Sequence, residues 1–385
     1  MAGDARIALV CDFLEENWPS MDLVANMLFQ ALTNCHAHEF TFACIRPRFI
    51  RRLTRVPRAR NWRAAHNVDR VLNRFVHYPR VIRRRRADFD LFHVIDHSYA
   101  HLVREVPQGR AVVTCHDLDA FNPLLDAART PRAWLMAVMA RRILDGLRQA
   151  AAVVCGSGVT RDGLLRNHIL APERLTVVHY GTHPEFSPGP NPSTDAEAER
   201  LLGPSDIDAP ELLHVGSTVA RKRIDILMRA FAAFRQQHPR ARLIRAGGAL
   251  HPGQEKLAAE LGIREAITSL PFISNAVLAA VYRRATALLV TSEAEGFCLP
   301  ITEAMTCGTP VIASDLPALR EAGGEAACYV PAGDLSRYAN ALETIALQRM
   351  GWLRSHRRAA GLAHAAKFSW SDNAAMMCAI YRQVL

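Results

Sequence analysis

Short apolar runs alternate with longer amphipathic stretches along the whole chain, and this rhythm constrains the fold more than any other feature. In the first half the β-tending runs fall at 7–11, 40–45, 91–95, 111–115, 152–155 and 175–179. In the second they fall at 212–216, 242–246, 267–270, 287–291, 310–313 and 327–330. Between them, segments such as 134–148 and 224–236 repeat apolar residues at helical spacing. Short runs without polar alternation suit strands buried on both faces. Strands separated by helices call for parallel sheets covered on both sides. Residues 187–210 break the rhythm with a polar, proline-rich stretch that reads as a linker over 191–210. The expectation is an α/β chain of two doubly wound, Rossmann-like domains, 1–190 and 211–366, facing each other across a cleft. Ligands of such sheets lie beyond the carboxyl ends of the strands.

At 385 residues the chain is long enough for two cores. The apolar run at 7–11 is cut off by Asp12, too early for a signal peptide, and no run approaches the length of a membrane span. Nine scattered cysteines without a C-x-x-C pair argue against a disulfide framework or a zinc site, so a cytoplasmic protein is expected. The formal charge is +10, and arginine supplies nearly all the basic residues, with lysine only at Lys222, Lys256 and Lys367. Residues 46–86 hold fifteen arginines and a single acid, Asp69. A solvated surface segment would look like this. So would a peripheral attachment to an anionic membrane face, with Trp62, Phe75 and Tyr78 at the headgroup boundary. No stacking or groove-reading motif accompanies the arginines, so nucleic acid is not expected as a partner.

Residues 291–315 carry the most chemistry. Glu295 and Glu303 lie eight positions apart around a turn containing Gly296, between a buried strand and a helix with Pro300 near its start and Gly308 past its end. The main chain near Phe297, Cys298 and Leu299 would present helix-start N–H groups to a phosphate. Two carboxylates beside a phosphate need partners other than the phosphate, and sugar or ribose hydroxyls are the natural ones. Upstream, 213–223 runs from a strand into Arg221 and Lys222, which can clamp a departing diphosphate; a surface helix start would look similar. Gly247 and Gly248 can leave space beside a nucleotide base. His116 ends a buried strand and is followed by Asp117. No D-x-D pair suggests a metal, and no resident cofactor is expected.

The E-x7-E string of Glu295 and Glu303 resembles the signature of retaining glycosyltransferases of family 4, which have the GT-B fold. The resemblance implies transfer of a sugar from a nucleoside diphosphate sugar to an acceptor hydroxyl. It implies that Glu303 holds the ribose, Glu295 the donor sugar, and Lys222 the leaving phosphates. His116 looks like the family's active-site histidine. Gly216 and Lys222 match a family pattern in which the residue after the glycine is usually arginine; here it is Ser217, with Arg221 in a position to supply the charge. The turn 156–160, with Ser157 and Thr160, is similar to a family strand-to-helix turn, and helix capping explains Ser157 equally well. The first turn departs from the family: 15–22 contains no glycine, which leaves Asn17 or Ser20 to act through side chains. The closing segment 367–385 is similar to the family's last helix, which returns to the first domain. The donor nucleotide and the acceptor stay open, the acceptor being a lipid-linked saccharide, a polysaccharide precursor or a small metabolite.

Three other readings compete. A sugar-nucleotide epimerase of similar fold would need no acceptor. A glucan phosphorylase would need pyridoxal phosphate on one of three lysines. A non-catalytic polyanion-binding protein would be built around 46–86.

Overall fold

A computed structural model describes residues 5–59, 61–125, 134–206, 208–348 and 352–385. The strands are β1 Ala5–Val10, β2 Phe40–Ile45, β3 Leu91–Val94, β4 Ala111–Cys115, β5 Ala152–Cys155, β6 Leu175–Val177, β7 Glu211–Val215, β8 Arg242–Ala246, β9 Ile267–Ser269, β10 Ala287–Val290, β11 Val311–Ser314 and β12 Cys328–Val330. Each coincides with one of the apolar runs to within two residues at either end. They form two six-stranded sheets, in the orders β2-β1-β3-β4-β5-β6 and β12-β11-β10-β7-β8-β9. All pairings are parallel, as between Ala8 and Phe92 or between Leu213 and Ile244. Helices on both faces bury the sheets, which is why their strands carry so few polar positions.

The chain divides into two compact units, Met1–Gly181 with Trp370–Leu385, and Thr182–Ser369. The core of the first is built on residues such as Val10, Phe13, Tyr78, Phe92, Val113 and Leu147. That of the second is built on Leu212, Leu227, Phe231, Leu289, Ile312 and Tyr338. The segment expected as a linker, 191–210, is largely a helix of the second unit, Pro192–Leu202. Asn191 caps it by accepting from Thr194 N, and Pro192 sits in its first turn. Proline at that position starts a helix rather than excluding one. Arg284 then donates to the carbonyls of Ala198 and Gly203, tying the segment to the second unit. The final helix, Trp370–Val384, packs in the first unit: Tyr381 Oη is 2.7 Å from His93 Nδ1, and Asn373 Nδ2 donates to His179 O at 2.7 Å.

Much of the arginine-rich segment folds inward. Tyr78 is fully buried and donates to the carbonyls of Cys11 and Ile45, while Phe75 packs on the core and stacks on His101. Of the three aromatic residues expected at a lipid boundary, only Trp62 is exposed. Arg70 and Arg74 turn toward Glu16, their Nε atoms 3.6 and 3.7 Å from its carboxylate. Asp69 is buried and accepts from the amides of Arg52, Leu53 and Thr54 and from the Thr54 hydroxyl. Burial acts to raise its pKa, but these donors outweigh it and hold the carboxyl down to about 2. Arg60 lies outside the described residues. No described helix is long and apolar enough to cross a membrane.

Candidate active site

Strand order decides where a doubly wound sheet binds its ligand, because connections from neighbouring strands diverge only where the order reverses. In the second sheet that reversal lies between β7 and β10. The loop after β7 carries Gly216, Ser217, Arg221 and Lys222, and the loop after β10 carries Ser292, Glu295 and Gly296. The segments singled out in the sequence therefore meet at one point.

Their meeting is ionic. Lys222 Nζ lies 2.5 Å from Glu295 Oε1, and Arg221 Nη1 lies 3.0 Å from Glu295 Oε2. Ser292 Oγ donates to Oε1 at 2.6 Å, and Arg221 Nη1 also reaches Ala294 O at 3.0 Å. The Glu295 side chain is only 5% exposed. Thr291 holds the other loop by donating to the carbonyls of Lys222 and Arg223 at 3.1 Å. Glu295, expected among sugar hydroxyls, and the two cations, expected on phosphate, thus form one cluster. Ser217 is exposed and stands apart from it, while Arg221 occupies the place beside Lys222.

Gly247 approaches Gly216 too closely to carry a side chain. A Cβ on Gly247, whose φ is 125°, would lie 2.3 Å from Gly216 O, so only glycine fits there. Gly296 is not among the positive-φ glycines. The unusual backbone expected at that turn falls instead on Cys298, at φ 84° and ψ 69°, immediately before the helix Leu299–Thr306. A non-glycine residue in this region is strained and persists only where its surroundings hold it. Phe297, packed edge-on against Phe368 at 5.4 Å, supplies such an anchor. Pro300 takes the second helical position rather than the first.

Glu303 is 7% exposed in that helix and accepts from Tyr282 Oη at 2.8 Å. Burial raises its pKa to about 7, against the lowering pull of the tyrosine. Tyr282 reads in sequence as a core residue and is one, fully buried; its hydroxyl partner was not legible, because it comes from a helix 21 positions away.

In the first unit the reversal lies between β1 and β3. His116 follows β4, and both of its ring nitrogens are engaged: Nδ1 is 2.5 Å from Tyr180 Oη and Nε2 is 2.7 Å from Ile95 O. It is 8% exposed, and burial lowers its pKa despite Asp96 nearby. A histidine so bound holds the strand ends together rather than offering a free nitrogen. Ser157 caps the helix Gly158–Arg166 by accepting from Thr160 N, and Thr160 donates to His116 O at 3.1 Å. The glycine-free first turn forms a short 3-10 helix, Leu14–Glu16, with Asn17 in the left-handed region at φ 55°. Glu16, not Asn17 or Ser20, points inward from it. Sequence reasoning missed Asp12, Asp96 and His97, which gather at the same strand ends. Burial and Asp96 push the Asp12 carboxyl well above its usual range, while His97 Nδ1 sits 3.4 Å from Asp96 Oδ1. Among the described residues no three His, Cys, Asp or Glu side chains are grouped to hold a metal ion.

Two parallel doubly wound units, one with a cation pair and two glutamates at its reversal point, define a two-domain α/β protein of the GT-B class. The model described as glycosyltransferase family 4 matches residues 23–186, and that described as glycosyl transferases group 1 matches 209–348. The chain belongs to the family 4 glycosyltransferases. It is 37% identical over 227 residues to a D-inositol 3-phosphate glycosyltransferase of Frankia alni, covering 56% of this chain and 54% of that one. It is 31% identical over 284 residues to the protein of the same name from Mycolicibacterium smegmatis, covering 71% and 62% respectively. The chain thus spans less than two thirds of these relatives' own length. Among solved structures, sucrose-phosphate synthase from Thermosynechococcus elongatus superposes with a TM-score of 0.76 at 22% identity, covering 99% of both chains. The Anabaena protein HepE, in complex with UDP and glucose, superposes at 0.72 and 15% identity, covering 98% of this chain and all of that one. At these identities the likeness is one of fold.

Proposed function

We propose that this chain is a retaining glycosyltransferase that moves a sugar from a nucleoside diphosphate sugar to an acceptor hydroxyl, without a metal. The observation that carries the reading is the Arg221–Lys222–Glu295 cluster at the reversal point, with Glu303 in the adjoining helix. Breaking the bond between sugar C1 and the diphosphate sends its electron pair to a phosphate oxygen. Lys222 and Arg221 stabilise that growing charge, a preorganised electrostatic effect of the kind that dominates many enzymes. The acceptor oxygen bonds to C1, and its proton passes to the leaving phosphate. On donor binding, Glu295, oriented by its cations, accepts from the sugar hydroxyls, and Glu303 takes those of the ribose. His116 supports the strand ends of the first unit and takes no step in the transfer.

Relatives named for D-inositol 3-phosphate make that compound the first acceptor to try, and the UDP bound to HepE makes UDP-sugars the first donors. The test is a panel of UDP-, GDP- and ADP-sugars with EDTA, read by thermal shift and then by transfer to the acceptor. A selective shift followed by acceptor-dependent nucleotide release supports the reading. Conversion of the sugar nucleotide without acceptor would make the protein an epimerase instead.

A second reading, peripheral attachment to an anionic membrane face, is favoured by the burial of Asp69. With that acid turned inward, the segment presents arginines together with exposed Ile50, Leu53, Val56, Trp62 and Val68. Co-sedimentation with anionic vesicles at low salt, absent with neutral ones, is the expected result; no sedimentation with either overturns it.

A further inference from the structure

Arg245, on β8, has no solvent exposure and, among the described residues, no carboxylate partner. It stands beside His214 of β7 in the strand register. Its Nη1 donates to Gly248 O at 3.4 Å and its Nη2 to Gly216 O at 3.5 Å, both long bonds, and Nε has no partner. Burial lowers its pKa, but a guanidinium does not shed its proton in a protein, so the charge remains.

Gly216 gathers other basic groups. A Cβ built there would lie 3.6 Å from Lys222 Cε, 3.7 Å from Lys222 Nζ and 3.6 Å from His214 Cε1. Burial, Arg245 and Lys222 together hold the His214 pKa down to about 3, so the imidazole between the two cations stays neutral. Glu295 serves Arg221 and Lys222, and Glu303 accepts from Tyr282. Arg245 is therefore a cation that the protein buries without an acid, at the end of the sheet where a ligand's phosphates belong.

Resting on the reading of this site as one for a nucleoside diphosphate sugar, we propose that Arg245 is a buried counter-charge for the donor's phosphates. It acts from behind the Gly216 and Gly248 turns, whose carbonyls it holds, and it is a positioning residue rather than a catalytic one. In the free protein the charge is a burden, and in the complex it is an attraction. Stability and affinity should then respond to its removal with opposite signs, which a purely structural tie would not produce.

The test compares wild type, R245M and R245K by thermal unfolding without ligand and by calorimetric titration of UDP, GDP and ADP in EDTA. R245M should unfold at or above the wild-type temperature yet bind the diphosphate at least about tenfold more weakly, while the phosphate-free nucleoside binds both proteins alike. R245K, which keeps the charge, should retain affinity within about threefold. Wild-type affinity in R245M overturns the proposal, as does a joint fall in melting temperature and in affinity for nucleoside and diphosphate. Should R245M not fold, R245K decides: affinity within that limit upholds the counter-charge, and a loss of about tenfold overturns it. A wild-type protein that binds none of the three diphosphates overturns the reading of the site itself, and this proposal with it.

Discussion

The two units share an architecture and differ in what they do with the polar groups at their strand ends. In the first, acids gather: burial, Asp96 and Glu16 push the Asp12 carboxyl up, Glu16 is flanked by Arg70 and Arg74, and His116 is closed off by Tyr180 and Ile95. In the second, bases gather: Arg221 and Lys222 share Glu295, Arg245 is buried with no acid beside it among the described residues, and Cys298 sits in a strained conformation. A closed network stabilises a fold, whereas an unbalanced one stores free energy that a ligand of opposite charge can release. On the proposed reading, the second unit receives the donor's phosphates, and His116 serves the packing of the first.

The sharpest way to break this contrast is Glu295→Gln. Transfer should fall by at least about a hundredfold, because the pair of cations loses its orienting carboxylate and the sugar loses its acceptor. A steady-state assay on protein of unchanged melting temperature checks this; near-normal turnover would remove Glu295 from the mechanism. Next in size is His116→Ala, which removes its hydrogen bonds with Tyr180 Oη and Ile95 O. Its cost should appear in stability, about 2–3 kcal/mol by denaturant unfolding, with nucleotide affinity unchanged. A variant of normal stability that fails only in catalysis would reverse the contrast between the units.

Acidity gives a third handle. The Glu303 pKa in the folded protein, about 7, lies above its ordinary 4.5. The folded state therefore binds the proton more tightly, and its contribution to stability falls as pH rises from about 4.5 through 7. Ligand affinity should run the other way, since ribose hydroxyls donate to the ionised form. Nucleotide binding should strengthen about tenfold between pH 6 and 8 and release a proton below pH 7, measured by calorimetry in buffers of different ionisation enthalpy. A flat profile would place Glu303 outside the ligand site. The smallest effect is expected from Tyr180→Phe, which removes one buried hydrogen bond and should cost about 1 kcal/mol of stability with turnover preserved.

Legibility from sequence followed the range of the forces involved. The twelve strands could be read because burial on both faces leaves a local mark, an uninterrupted apolar run. The linker was misread because Asn191 and Pro192 are both loop residues and helix starters, and only packing against Arg283 and Arg284 decides between them. Gly296 is the residue of that turn that tolerates a positive φ, yet the structure places it on Cys298, where Phe297 and the helix start hold the chain. Composition does not sort the arginines of 46–86: it counts them, but only the fold shows Arg70 and Arg74 facing Glu16 and Tyr78 in the core.

By itself, then, the sequence determined two parallel α/β domains, the glutamate pair and its basic neighbours, because periodicity and spacing act over a few residues. Tertiary structure alone decided the strand order that brings the loops after β7 and β10 together. It likewise decided that Glu295 meets Lys222 across 73 positions, that Tyr282 donates to Glu303, and that Arg245 is buried with no acid beside it among the described residues. Such pairings depend on which strands become neighbours, and no local pattern carries that information.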